Sequence, residues 1–184
     1  MKIIPKPQPG EYAPYAIMYI KLLPDDGLVL KHLQENGEAT KRFLLSVPQE
    51  KLNYRYAPGK WTIKDILLHI VDDERIFAYR ALRFARGDAT ALPGVNQDPY
   101  AAAGRANDRQ LEDLLEEFLA VRQASVSLFQ YLPEDSFVRG GTANNHNVTV
   151  RALLYQIAGH ELHHINIIKE RYLSQGSAKA YLRI

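Results

Sequence analysis

Apolar residues recur with helical spacing in four stretches of this 184-residue chain, and each stretch predicts one amphipathic helix. The first stretch covers about residues 26–47, where Gly37 and Thr40 interrupt the apolar side. The third begins near residues 107–108 and ends before Pro133, because proline cannot continue a helix.

The second and fourth stretches carry clear start signals. Thr62 is suited to cap a helix N-terminus, and Asp65 stands three residues later, as in a capping box. That helix should end at Gly87, since glycine is common just after a helix. Thr149 is the corresponding cap of the fourth helix, which should end near Leu173.

These four helices predict an all-α fold, a four-helix bundle in which the apolar stripes pack against one another. No stretch alternates regularly enough to predict a strand. The connections 87–107 and 133–148 are longer than antiparallel neighbours need, so we expect long crossover connections. We expect a single domain over residues 1–184, with a proline-rich extended arm at 1–25 and a C-terminal tail at 174–184.

Composition and charge exclude several classes of function. The net charge of +2 and the dispersed basic residues give no electrostatic footprint for nucleic acid or an anionic membrane. No segment approaches the roughly 20 apolar residues of a membrane span. The absence of cysteine excludes disulfides, thiolate metal ligands and a catalytic thiol. With a start that lacks a secretory pattern, this composition leads us to expect a cytoplasmic protein.

Two of the six histidines lie on the inward side of the fourth helix. Relative to Ile157, at about 100° per residue, His164 falls near the centre of the apolar stripe and His160 about 60° to one side. Their spacing of four residues lets both imidazoles converge on one ion, although hydrogen-bonded core histidines would show the same spacing. His69 stands at the flank of the second helix's stripe, where a ligand shared between two helices would lie. The position of His69 therefore favours a metal site over hydrogen-bonded core histidines.

The other histidines lack such company. His32 is expected at the surface or partly buried, and His146 in a polar loop, either at the mouth of a site or simply exposed. His163 points away from the apolar stripe.

The segment from His160 to His164 also satisfies H-E-x-x-H, the zincin metalloprotease signature, in which Glu161 would be the general base. The extended form with a third histidine is absent, and no strand is predicted to support a protease cleft. A protease therefore stays the weakest of the hypotheses. Both hypotheses use His160 and His164 as metal ligands. Only the three-histidine site needs His69 as a ligand, and only the protease needs Glu161 as a base.

Longer segments of the chain resemble a known family. The segments 58–69 and 72–75 are similar to the first half of the DinB-like superfamily, and 148–154 and 159–164 to its second half. Segments 9–15 and 79–82 resemble one branch of that family.

The resemblance implies a four-helix bundle with crossover topology and a divalent metal held by residues that match His69, His160 and His164. It also implies a homodimer. Characterised members include metal-dependent transferases that act on low-molecular-weight thiols such as bacillithiol, mycothiol or glutathione, and a maleylpyruvate isomerase. Others are described as metal-dependent hydrolases.

We therefore expect a metal-dependent thiol S-transferase or hydrolase that acts on a small molecule, with a non-catalytic bundle and a structural metal as the alternative. Three imidazoles accept zinc, nickel, iron or copper, and we expect zinc or nickel. Asp73, one turn after His69, is either a base or ligand at the site or a solvated or salt-bridged carboxylate. Arg80 and Arg151 either recognise a substrate carboxylate or form surface ion pairs.

Overall fold

Four long helices form the bundle in the computed structural model, which describes residues 2–174. Seven α-helices lie in this part of the chain, and α2, α4, α6 and α7 are the long ones. In chain order they are α1 (Ile17–Ile20), α2 (Val29–Leu45), α3 (Gln49–Leu52), α4 (Ile63–Ala85), α5 (Gln97–Gly104), α6 (Leu111–Tyr131) and α7 (Val150–Ile167). A π-helical turn, Ile168–Leu173, extends α7 to the predicted end of the fourth helix.

Two of the three connections between consecutive long helices cross the bundle. Helix α2 packs against α6 and α7, and α4 packs against the same two helices. The consecutive long helices α2 and α4 therefore lie on opposite sides of the bundle, and so do α6 and α7. This confirms the predicted all-α four-helix bundle with crossover connections.

Helix starts follow the local signals. The Thr62 hydroxyl accepts a hydrogen bond from the Asp65 amide at 3.0 Å, and the Asp65 carboxylate accepts one from the Thr62 amide at 2.9 Å. The Thr149 hydroxyl accepts a longer bond from the Ala152 amide, at 3.3 Å. Both caps satisfy backbone donors that the first helical turn leaves without partners.

The prediction that the chain contains no strand is wrong. Strands β1 (Gly140–Ala143) and β2 (His146–Thr149) pair antiparallel between α6 and α7. Each strand has only four residues, too few for a visible alternation. The sequence feature that indicates the hairpin is the Asn144-Asn145 pair at its turn. These two residues adopt φ values of 49° and 63°. Asparagine tolerates this left-handed backbone, which two-residue hairpin turns require.

Gly37, which interrupts the apolar side of α2, faces a buried arginine. Arg122 of α6 is 4% exposed, and a Cβ added to Gly37 would come within 3.1 Å of its Nη1 atom. The same Nη1 atom donates to the Leu33 carbonyl at 2.8 Å. Glu74 of α4 accepts from the guanidinium at 2.9–3.2 Å, and Glu161 of α7 lies 2.8 Å away. One side chain thus links all four long helices.

The N-terminal arm lies on the bundle and is not extended throughout. Its backbone turns into a 3₁₀ turn (Pro14–Ala16) that leads directly into α1, and α1 packs against α7. The Ile4 amide donates to the Gly27 carbonyl at 2.9 Å. The predicted C-terminal tail lies, from residue 175 onward, outside the described residues. None of the helices in residues 2–174 is long and apolar enough to cross a membrane.

Candidate metal centre

Three imidazoles meet where α4 packs against α7. The Nε2 atom of His160 lies 3.0 Å from Nε2 of His69 and 3.0 Å from Nε2 of His164. His69 and His160 are buried, at 5% and 2% exposure, and His164 is half-buried. The structure therefore brings together the three histidines predicted from the sequence. His69 and His160 are 91 residues apart in the chain.

The donor set fits a divalent metal better than it fits a set of hydrogen bonds. A ring nitrogen carries either one proton or one lone pair, so Nε2 of His160 cannot make two good hydrogen bonds in its ring plane. Two nitrogens that each bind one ion at 2.0–2.1 Å stand about 3–3.4 Å apart, which matches the 3.0 Å spacing of the two pairs that include His160. The three nitrogens are thus a candidate ligand set for one cation.

The protonation of the three rings agrees with this role. Burial lowers the pKa of His69 to about 4 and the pKa of His164 to about 3. Burial, together with the neighbouring histidines, also lowers the pKa of His160 well below its ordinary value. The rings are therefore neutral near pH 7, the form in which imidazole binds a metal.

Aromatic rings hold two of the imidazoles in place. The indole of Trp61 packs on His69 with ring centroids 4.8 Å apart, and the phenol ring of Tyr19 meets His160 edge-on at 5.2 Å. Tyr19 can approach because Gly159 has no side chain: a Cβ there would lie 2.3 Å from the Tyr19 carbonyl oxygen. Neither Trp61 nor Tyr19 is among the site residues predicted from the sequence.

Three consecutive acidic residues of α4 point in different directions. Asp73 faces the imidazoles, with its Oδ2 atom 3.4 Å from Nε2 of His160 and 3.7 Å from Nε2 of His69. Asp72 turns outward to Arg75, at 3.8 Å. Glu74 binds the buried arginine in the core, as described above. Of the three, only Asp73 can act at the site.

Burial raises the pKa of Asp73 to about 7, although the charge of Arg80 opposes the shift. The carboxyl group is mostly enclosed, with 12% of its side chain exposed. The sequence leaves open whether Asp73 is a base, a ligand or a solvated or salt-bridged carboxylate. Its enclosed position in the structure excludes the solvated carboxylate.

Two cavities lie at the site, one at an imidazole and one at Asp73. A cavity of about 310 Å³ opens beside His164 and is lined among others by Trp61, Lys60 and Asp98. A smaller one of about 70 Å³ is lined by Asp73 and by none of the three imidazoles. A closed structural metal site would have no opening beside one of its histidines.

Two of the remaining candidates from the sequence, Glu161 and Arg151, lie away from the site. Glu161, at 0% exposure, pairs with Arg122 in the core, and burial raises the pKa of Glu161. It therefore cannot serve as the general base of a zincin. The Arg151 Nε atom donates to Glu11 at 2.6 Å, so Arg151 is occupied by an ion pair. Arg80 lines the smaller cavity.

The other three histidines do not join the group. His32 is half-buried, which agrees with one of the two positions predicted for it. Its Nε2 atom lies 2.8 Å from Oδ2 of Asp26. His146 begins β2 and is exposed. His163 is half-buried and meets the Tyr19 ring at 5.3 Å.

The fold and the site together define a class: helical bundles with a three-histidine site between two helices. The sequence model of the DinB superfamily matches residues 32–168, and the chain belongs to that superfamily. This confirms the family resemblance.

Two similar proteins carry related descriptions. A proposed metal-dependent hydrolase of Oceanobacillus iheyensis, OB0413, is 26% identical over 142 residues, 76% of this chain and 81% of the relative. The solved structure of YfiT from Bacillus subtilis, described as a probable metal-dependent hydrolase with an unusual four-helix bundle topology, aligns with a TM-score of 0.71. The alignment covers 94% of both chains at 17% identity, so it speaks for the fold alone.

Proposed function

We propose that this protein is a metal-dependent hydrolase of a small molecule, with His69, His160 and His164 as the metal ligands. The observation that carries the proposal is the convergence of the three Nε2 atoms beside two cavities, with the Asp73 carboxylate at the same point. The description of OB0413 as a metal-dependent hydrolase supports the reaction class.

The chain's own residues have separate tasks in such a reaction. A divalent ion held by three neutral imidazoles supplies Lewis acidity and lowers the pKa of a bound water. Asp73 is placed to accept a proton from a group bound at the imidazoles, because its Oδ2 atom lies 3.4 Å from Nε2 of His160. Trp61 and Tyr19 exclude water from the outer faces of His69 and His160.

An S-transfer reaction would use the same site, with the thiol brought by the substrate because the chain has no cysteine. A purely structural metal fits less well, since the larger cavity opens beside His164. Zinc or nickel remains our expectation for the metal. A homodimer and a cytoplasmic location also stay predictions.

The test begins with elemental analysis of protein purified without a histidine tag. We expect about one divalent ion per chain in wild type, its loss in His69→Ala and His164→Ala, and its retention in the matched control His163→Ala. The metal-loaded protein is then assayed on a panel of small esters, amides and lactones, with and without a low-molecular-weight thiol. Unchanged metal content in both ligand variants would overturn the metal site. Turnover that requires the thiol would replace the hydrolase by the transferase.

A further inference from the structure

Arg80 lies on the face of α4 that carries the metal site. At about 100° per residue, Asp73 and Arg80 fall about 40° and 20° from His69, so all three point to one side of the helix. Arg80 stands two turns beyond Asp73, and both line the 70 Å³ cavity. Arg80 is 8% exposed, which is a deep position for a guanidinium.

This buried arginine has little to bind within the protein. Its Nη2 atom donates to the Pro93 carbonyl at 2.8 Å, and this is the one side-chain hydrogen bond it makes among residues 2–174. Within the same residues it forms no salt bridge. Arg122, the other deeply buried arginine, instead has two carboxylates and a carbonyl as partners. The charge of Arg80 lowers the pKa of Asp73, but the two form no salt bridge. A buried charge without a directly paired anion is costly, so the free donors of Arg80 point to a ligand.

The cavity beside Arg80 is built for a small polar group. Its walls carry polar side chains from the N-terminal arm, α4, the start of α5 and the hairpin turn, including Tyr15, Tyr19, Gln97 and Asn144. At about 70 Å³ it is much smaller than the 310 Å³ cavity beside His164, which suits a compact group such as a carboxylate. The planar guanidinium matches a carboxylate with two parallel hydrogen bonds.

We propose that Arg80 binds a carboxylate of the substrate and thereby fixes the cleavable group at the three imidazoles, so that the substrate is a small carboxylic acid. The proposal rests on the proposed function, since it places the second end of the same substrate. Arg80 acts here as a specificity-determining residue that contacts the substrate away from the bond that breaks.

Binding of matched probes to the zinc-loaded protein tests this, measured by isothermal titration calorimetry so that no turnover is needed. The probes are dicarboxylic acid monohydroxamates with two to four methylene groups and the corresponding uncharged amide hydroxamates. The hydroxamate group of each probe binds the zinc. The two probes of a pair differ only at the other end, which is a carboxylate in one and an amide in the other. For the best chain length we expect the acid to bind at least about tenfold tighter than the amide, because hydrogen bonds between two charged groups are stronger than those to a neutral amide.

Arg80→Gln should bring the acid-to-amide ratio close to one while zinc content and amide affinity stay unchanged. Arg80→Lys, which keeps the charge but not the planar fork, should retain part of the preference. The matched control is Arg83→Gln, because Arg83 lies one turn on and pairs outward with Asp88. The acid-to-amide affinity ratio of Arg83→Gln should equal that of wild type.

The outcomes separate the two proposals. A wild-type ratio near one for every chain length, or an unchanged ratio in Arg80→Gln, overturns the carboxylate assignment and leaves the metal site standing. Zinc-loaded protein that binds neither probe also overturns it. A protein that takes up no zinc overturns the proposed function, and the assignment of Arg80 falls with it. If Arg80→Gln does not fold, the wild-type ratio and the Arg80→Lys ratio decide.

Discussion

The guanidinium of Arg122 lies 2.8 Å from the carboxylate of Glu161, inside a core where both side chains are at most 4% exposed. Glu74 binds the same guanidinium at 2.9 Å. Burial lowers the pKa of Arg122, but the two carboxylates outweigh it and raise that pKa above its ordinary value. Glu161 is therefore part of the packing between helices, although it directly follows His160 of the candidate metal centre in sequence.

Loss of the arginine should strongly destabilise the bundle. We expect Arg122→Met to lower the free energy of unfolding by about 3–5 kcal/mol, because two carboxylates stay buried without their counter-charge. Urea denaturation measures the change. The matched control is Arg75→Met, whose half-exposed side chain pairs with Glu117 at the surface and should cost about 1 kcal/mol or less. Equal effects of the two substitutions would contradict a structural role for the buried pair.

Chelation should destabilise the protein without unfolding it. Two clusters of buried apolar side chains hold the bundle together independently of the imidazoles. A ligand present at about 100 times its dissociation constant adds about 2.7 kcal/mol, so removal of the metal should lower Tm by about 5–10 °C. His69→Ala should show no further loss on chelation. Unfolding of wild type by the chelator at room temperature would instead favour the structural-metal alternative.

Asp73 should be needed for turnover and not for metal binding. We expect Asp73→Asn to keep the metal content of wild type and to lose about 10²–10⁴ in hydrolysis rate, the range typical of a lost general base. Asp72→Asn is the control, since Asp72 turns outward to Arg75 and should leave the rate unchanged. Loss of the metal in Asp73→Asn would make Asp73 a ligand, and an unchanged rate would remove it from the mechanism.

The N-terminal arm should contribute a pH-dependent stability. Hydrogen bonds from Arg151 hold the pKa of Glu11 below its ordinary value, despite an opposing effect of burial. A lowered folded-state pKa stabilises above the unfolded-state value of 4.5 and is lost as pH falls through the folded-state value. We expect Glu11→Gln to cost about 1 kcal/mol near pH 7, since the pair is partly exposed.

The difference between wild type and Glu11→Gln should stay constant from about pH 7 to pH 5 and shrink toward pH 3. Denaturation curves at these pH values measure it. Glu116→Gln is the control, because Glu116 is exposed and has no salt bridge within the described part of the chain. A difference that persists undiminished at low pH would show that the carboxylate charge is not what stabilises the arm.

The sequence by itself determined the four long helices, the starts of α4 and α7, and the inward direction of His69, His160 and His164. These features depend on side-chain periodicity and on capping contacts within three or four residues, which the local sequence contains. The hairpin was missed because its strands are too short to show a period.

Only the tertiary structure decided the partners of the charged residues. Asp72, Asp73 and Glu74 are neighbours in sequence, yet they face Arg75, the imidazoles and Arg122. Arg80 and Arg151 looked alike in the sequence, but one lines a cavity and the other meets the N-terminal arm. Such differences arise from groups that distant segments bring together, and the free energy of a buried charge depends on those groups rather than on its own helix.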